Sequence, residues 1–171
     1  ADVKDMEVGD AVYGLNDWFA NGAQAEYVVA PGTALALKPR LLDHVQSAVV
    51  PISALTAWQG LLEKANLRCN QRILIHGAAG AVGVFAVQLA RWRGAHVIAA
   101  TSANNLNFVR QMGAHKVIDY RATRFEDAVR DVDVVFDTVG GKTLERSWNV
   151  LKAGGKLVTI AAGGTQAADR R

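Results

Sequence analysis

Residues 72–94 read Arg-Ile-Leu-Ile-His-Gly-Ala-Ala-Gly-Ala-Val-Gly-Val-Phe-Ala-Val-Gln-Leu-Ala-Arg-Trp-Arg-Gly, and the rest of the chain is organised around them. The apolar run Ile73, Leu74, Ile75 predicts a short buried strand. It breaks into Gly77-Ala78-Ala79-Gly80-Ala81-Val82-Gly83. Val82, Phe85, Ala86, Leu89 and Ala90 then recur at spacings of three and four, the period of an amphipathic helix. Strand, glycine turn and helix form the first half of a dinucleotide-binding unit. Gly80 has no side chain to keep the main chain from a pyrophosphate, and Gly83 lets the helix pack closely on the strand. The free N–H groups of the first helical turn then face the negative charge. Gly77, Gly80, Ala81, Val82 and Gly83 are therefore the predicted phosphate-binding positions.

Outward from this stretch, strand and helix alternate. Strands are predicted at 96–100, 116–119, 132–136 and 156–160, and helices at 104–112, 123–129 and 142–151. Gly94, Gly113 and Gly154 each stand where a helix needs a left-handed stop. Such alternation predicts an α/β fold, a Rossmann-type parallel sheet with helices on both faces. Five strands are visible where the common dinucleotide fold has six. The polar tail 163–171 offers no further strand, so the chain reads as cut at both ends.

Before the sheet, Asp43 caps a helix through Ala48 and Val50, and Pro51 opens another through Leu55, Trp58, Leu61 and Leu62. Residues 67–71 form a connector in which Asn70 suits a left-handed turn. Residues 1–40 have a different, β-rich texture, with strands expected near Val12 and over the alternating stretch 25–30, closed by Pro31-Gly32. The expected organisation is a partial β domain at 1–42, a nucleotide-binding domain at 43–165 and a tail at 166–171.

Composition narrows the functional classes. Half of the 171 residues are hydrophobic and a fifth are charged, which is globular usage. The net charge of +3 is dispersed over 19 basic and 16 acidic residues, with no Lys/Arg run to track a nucleic acid. A single cysteine, Cys69, excludes an internal disulfide. No apolar stretch approaches the roughly 20 residues of a membrane span. Asp2, Lys4, Asp5 and Glu7 stand where a signal peptide would be apolar. The expectation is a cytoplasmic protein without nucleic-acid or membrane partners.

Several segments, taken together, resemble the medium-chain dehydrogenase/reductase superfamily, in its zinc-independent quinone oxidoreductase branch that includes zeta-crystallin. They include Val8-Gly9-Asp10-Ala11-Val12-Tyr13-Gly14, Gly22-Ala23-Gln24-Ala25-Glu26-Tyr27-Val28, Leu55-Thr56-Ala57-Trp58, Val117-Ile118-Asp119-Tyr120 and Phe136-Asp137-Thr138-Val139-Gly140-Gly141, together with the glycine turn. They run in the family's order across nearly the whole chain. The resemblance implies that 1–42 is part of a GroES-like β domain and that Thr56, Thr138, Val139 and Ala161 lie near a nicotinamide.

Zinc needs a tetrahedral set of Cys, His or carboxylate ligands. Zinc-dependent relatives place a cysteine just before the helix that carries Leu55-Thr56-Ala57-Trp58, and here Ile52 stands there. Cys69 has no Cys or His neighbour at ligand spacing, so no zinc is expected. An NAD site usually has an acid some 20 residues after the glycines. Here Thr101, Ser102 and Asn105 end that region, and no carboxylate would repel a 2′-phosphate. Tyr120 corresponds to a phosphate-contacting tyrosine of the NADPH-using relatives. Asn105 departs from the lysine that those relatives often carry nearby, and Arg121 is the expected compensation. NADPH is therefore favoured over NADH, although Thr101 and Ser102 also suit plain helix capping.

His76 adjoins the turn and is read as structural, while His44, His96 and His115 are read as surface residues. No Ser-His-Asp order and no Tyr-x-x-x-Lys dyad is present. The resulting expectation is an NADPH-dependent reductase of a small quinone, enone or activated carbonyl, pairing with itself as a homodimer through its open sheet edge. Two rivals are a non-catalytic nucleotide-binding module and a Rossmann-like methyltransferase, which the missing acid at Thr101-Ser102 disfavours.

Overall fold

The structure, a computed structural model, describes residues 6–17, 19 and 22–161, and the 163–171 tail lies outside them. The chain divides into two compact units, Ala1–Ser53 and Ala54–Arg171.

In the first unit, β1 (Val12–Gly14) pairs antiparallel with β2 (Leu35–Leu37), Tyr13 opposite Ala36. Residues 25–30, expected as a strand, are irregular and belong to neither sheet. Asp43 does cap α1 (His44–Ala48). Its carboxylate accepts from Gln46 N at 2.7 Å, and the Gln46 side chain accepts from Asp43 N, which satisfies two end groups reciprocally. Pro51 lies in the first turn of α2 (Val50–Trp58), where its missing N–H costs nothing. The helix continues past Ser53 into the second unit, where it widens into a π turn, Gln59–Lys64.

The second unit is a five-stranded parallel sheet. Its strands are β3 (Arg72–His76), β4 (His96–Thr101), β5 (Lys116–Asp119), β6 (Val132–Asp137) and β7 (Leu151–Thr159), in the order β5-β4-β3-β6-β7. The helices between them are α3 (Ala81–Trp92), α4 (Leu106–Gln111), α5 (Phe125–Ala128) and α6 (Gly141–Ser147). Period-two alternation divides the core. Ile73, Ile75, Val97, Ala99, Val134 and Phe136 join α3 on one face, while Leu74, Ile98 and Val135 meet Phe125, Val129 and Val150 on the other. Both faces being covered, the strands read as continuous apolar runs.

Gly94 and Gly113 end α3 and α4 as expected, with φ of 79° and 114°. In both cases paired backbone bonds close the helix, Ala95 N to Ala90 O and Gly94 N to Arg91 O, then Ala114 N to Val109 O and Gly113 N to Arg110 O. Gly154 is different. It sits inside β7 at φ 73°, not at a helix end. The helix expected over 142–151 stops at Ser147 and one 3₁₀ turn, Trp148–Val150, so that Leu151 already pairs with Val132. Lys156 pairs with Val134, and residues 152–155 stand out of register as a bulge that the glycine accommodates.

Candidate functional site

Central β3 has β4 on one side and β6 on the other, so chain direction away from it reverses there. Open α/β sheets offer a crevice at the carboxyl ends of the strands at such a switch point. The glycine turn leaves β3 at this place. Gly77 has φ 67°, and a Cβ built on it would lie 2.2 Å from Thr138 Oγ1. That hydroxyl donates to His76 O at 2.8 Å and so fastens the turn to the end of β6. Ala78 N donates to Ala100 O at 3.1 Å, which ties the turn to β4 as well.

Gly80 is the N-cap of α3, and no side chain caps the helix. Gly83 packs against the turn itself, since a Cβ there would stand 2.2 Å from Gly77 O. Gly80 and Ala81 are exposed and Val82 half-buried, and the N-cap offers no side chain to the opening amides of α3.

At the end of β4, Thr101 is buried and its carbonyl accepts from Tyr120 N at 3.1 Å. The Ser102 side chain makes no helix cap. Its hydroxyl accepts from Asn105 Nδ2 at 3.2 Å, so these two predicted residues hold each other. Thr56 lies on α2, half-buried, and lines no part of the cavity described below.

Sequence reasoning missed the group that positions the loop after β6. Asp137 is wholly buried, and its carboxylate accepts from Val139 N at 3.1 Å, Gly140 N at 3.0 Å and Thr159 Oγ1 at 2.9 Å. Ala161 N in turn donates to Thr159 Oγ1 at 3.2 Å. One carboxylate thus gathers Thr138, Val139 and Ala161 at the ends of β6 and β7. The Asp-Thr-Val-Gly-Gly run was the available signal, but the partner Thr159 lies 22 residues away.

Beside the turn lies a cavity of about 420 Å³. His76, Gly77 and Ala100 form its floor at the ends of β3 and β4, Tyr120 and Val139 come from the following loops, and Thr123, Arg124 and Phe125 precede or open α5. Thr143 and Arg146 of α6 complete it. Of the predicted site residues it brings together Gly77, Tyr120 and Val139.

His76 is buried, as its structural reading requires, yet it also lines this cavity. Ser147 Oγ donates to Thr143 O at 2.7 Å, so its oxygen accepts from His76 Nε2–H at 3.0 Å, which assigns the tautomer. Burial lowers the imidazole pKa to about 4, the Asp137 charge opposing and the Arg146 charge assisting, so the ring is neutral at pH 7. It meets Phe125 edge-on at 4.6 Å. Arg146 lies over the Phe125 ring at 4.8 Å and donates two hydrogen bonds to Glu126. Those bonds hold the Glu126 carboxyl at about 2, against the opposing effect of desolvation. Arg121, the expected compensating cation, lies 5.8 Å from the Tyr120 ring centroid and does not line the cavity.

Among the described residues, no three His, Cys, Asp or Glu side chains cluster as a metal ion requires. Cys69 is an exposed free thiol. The described residues supply no ligand set that fits a zinc centre. No helix among them is long and apolar enough to cross a membrane.

Comparison with known proteins agrees with this architecture. A mitochondrial NAD(P)H oxidoreductase, RTN4IP1 of Danio rerio, is 35% identical over 178 residues, covering 99% of this chain and 46% of its own length. The 2-methylene-furan-3-one reductase of Solanum lycopersicum is 38% identical, covering 92% and 42%. An alcohol dehydrogenase superfamily protein from Novosphingobium aromaticivorans superposes with a TM-score of 0.89 at 35% identity, covering 95% of this chain and 51% of that one. The quinone oxidoreductase of Thermus thermophilus, solved also in complex with NADPH, gives 0.73 at 37% identity, covering 82% and 48%. The chain spans about half the length of these relatives.

The expectation of a cytoplasmic protein is corrected by these findings. The Danio rerio relative and its mouse, human and cattle counterparts are all named as mitochondrial. A family model described as zinc-binding dehydrogenase matches residues 81–169, just over half of the chain. With a parallel dinucleotide-type sheet, a glycine cradle at its switch point and relatives of this kind, the chain belongs to the zinc-binding dehydrogenase family, within the quinone-oxidoreductase-like part of the medium-chain dehydrogenase/reductase superfamily.

Proposed function

We propose that this chain is the dinucleotide-binding part of an NADPH-dependent, zinc-independent reductase acting on a small quinone, enone or other activated carbonyl. The observation that carries the reading is the 420 Å³ cavity at the carboxyl edge of the sheet, beside a glycine cradle whose helix has no side-chain cap. In this reading Gly77, Gly80, Ala81, Val82 and Gly83 receive the diphosphate through backbone amides. Thr101, Ser102, Asn105 and Tyr120 surround the adenosine ribose. Thr56, Thr138, Val139 and Ala161 lie toward the nicotinamide, with Asp137 as the positioning residue behind the last three.

Once bound, the dihydronicotinamide supplies the hydride, and the protein supplies position and electrostatics. NADPH is preferred to NADH because no carboxylate ends β4 to repel a 2′-phosphate. Zinc independence rests on Ile52 standing at the expected ligand position and on Cys69 having no Cys or His neighbour at ligand spacing. Support for the substrate class comes from relatives named as reductases of a quinone and of a 2-methylene-furan-3-one, itself an enone. Residues 1–42 are assigned to part of a GroES-like β domain and 43–165 to the Rossmann domain. The β7 edge, which has β6 on one side and no strand on the other among the described residues, is the proposed homodimer contact.

Parallel calorimetric titrations of the chain with NADPH, NADH and S-adenosylmethionine test the reading. NADPH should bind most tightly, and binding of S-adenosylmethionine alone would overturn it.

A further inference from the structure

We propose that Arg124 is the cation that selects a 2′-phosphate in this chain. The inference rests on the dinucleotide reading above and adds to it the residue that makes the choice between the two cofactors. A 2′-phosphate is a dianion near pH 7 and needs a positive partner at the end of the second strand of the unit. The sequence leaves that place without one. Ser102 and Asn105 are neutral and bonded to each other, and Thr101 is buried.

Three arginines lie near Tyr120 and the cavity, and their surroundings separate them. Arg146 lines the cavity, but its guanidinium is committed to two hydrogen bonds with Glu126 and to the face of Phe125. Arg121 sits by the Tyr120 ring, outside the cavity lining. Arg124 lines the same cavity as Tyr120 and Ala100, and its side chain is 71% exposed. Its acidic contacts are loose, 3.6 Å to Glu126 and 3.9 Å to Asp127, neither within hydrogen-bond reach. Glu126 is already neutralised by Arg146, and Asp127 is itself exposed, so a phosphate competes against one solvated carboxylate. The Arg124 guanidinium therefore keeps its full donor set for a planar, bidentate grip on a phosphate, with the exposed Tyr120 of the same cavity lining as its companion.

The test uses two probes that isolate the adenosine half, adenosine 2′,5′-bisphosphate and 5′-AMP, with NADPH as the reference ligand. Arg124→Gln should weaken the bisphosphate and NADPH about tenfold while leaving 5′-AMP unchanged. Arg124→Lys should recover part of the loss, and Arg121→Gln should change neither probe. Equal effects of Arg124→Gln on both probes, or none, would overturn the assignment while the chain still binds NADPH. Absence of NADPH binding by the unsubstituted chain would sink the underlying dinucleotide reading, and this proposal with it. Arg124 is exposed, so an unchanged far-ultraviolet circular dichroism spectrum separates loss of binding from loss of fold.

Discussion

The glycine turn and the cavity beside it share one edge of the sheet but are made by opposite means. The turn is made of backbone: Gly77 and Gly83 work because nothing projects from them, and neighbours stand where their side chains would be. The cavity is made of side chains from separate segments, with His76, Phe125 and Arg146 holding one another through ring contacts and a hydrogen-bonded carboxylate. The first has no space for a side chain at Gly77 or Gly83.

The sharpest way to break the contrast is Gly83→Ala. A single methyl group would meet Gly77 O and Ala78 backbone atoms, none of which is the end of a flexible side chain. We expect a loss of about 3 kcal/mol in urea unfolding, together with loss of NADPH binding. Unchanged stability would show that the turn yields, and that it is not built as described.

The cavity should instead answer to pH. His76 is held neutral in the fold down to about 4, against an ordinary value of 6.5. Between these values the unfolded chain takes up a proton that the folded chain refuses, so stability falls as pH falls through that window and flattens below it. The total is about 3 kcal/mol at full expression. His76→Phe leaves Ser147 bonded to Thr143 and should remove this slope. A slope that persists in the variant would assign the pH dependence to other groups. At still lower pH the Glu126–Arg146 pair weakens, since a depressed carboxyl pKa contributes stability that is lost as pH falls from 4.5 toward about 2.

Asp137 sits between the two regimes, a side chain whose work is to place backbone. Asp137→Asn keeps the shape but puts an amide donor among N–H and O–H donors. It should cost about 2 kcal/mol in unfolding and weaken NADPH more than 5′-AMP. Equal weakening of both ligands would show that the loop after β6 is not oriented toward the nicotinamide half.

The same contrast explains what could be read from the chain beforehand. Glycine spacing and apolar period are local, so the turn, the parallel sheet and the helix stops at Gly94 and Gly113 were legible. Gly154 was misassigned because a left-handed glycine looks alike at a helix end and in a bulge, and only the pairing of Leu151 with Val132 distinguishes them. The stretch 25–30 alternates like a strand but has no partner ladder, and alternation alone does not make one. The cavity was invisible because its walls come from five segments, and the choice among Arg121, Arg124 and Arg146 depends on who already holds each guanidinium.

The split of β3 between two cores has a consequence for altering this chain. Ile73 and Ile75 serve one face and Leu74 the other, so one inserted or deleted residue would exchange the faces and carry Gly77 away from Thr138. Changes of length belong at the opposite rim, at 152–155, where the backbone already absorbs surplus residues between two adjacent rungs of its ladder. A reporter peptide or cross-linking tag grafted there would sit as far along the strands from the glycine cradle as the sheet allows.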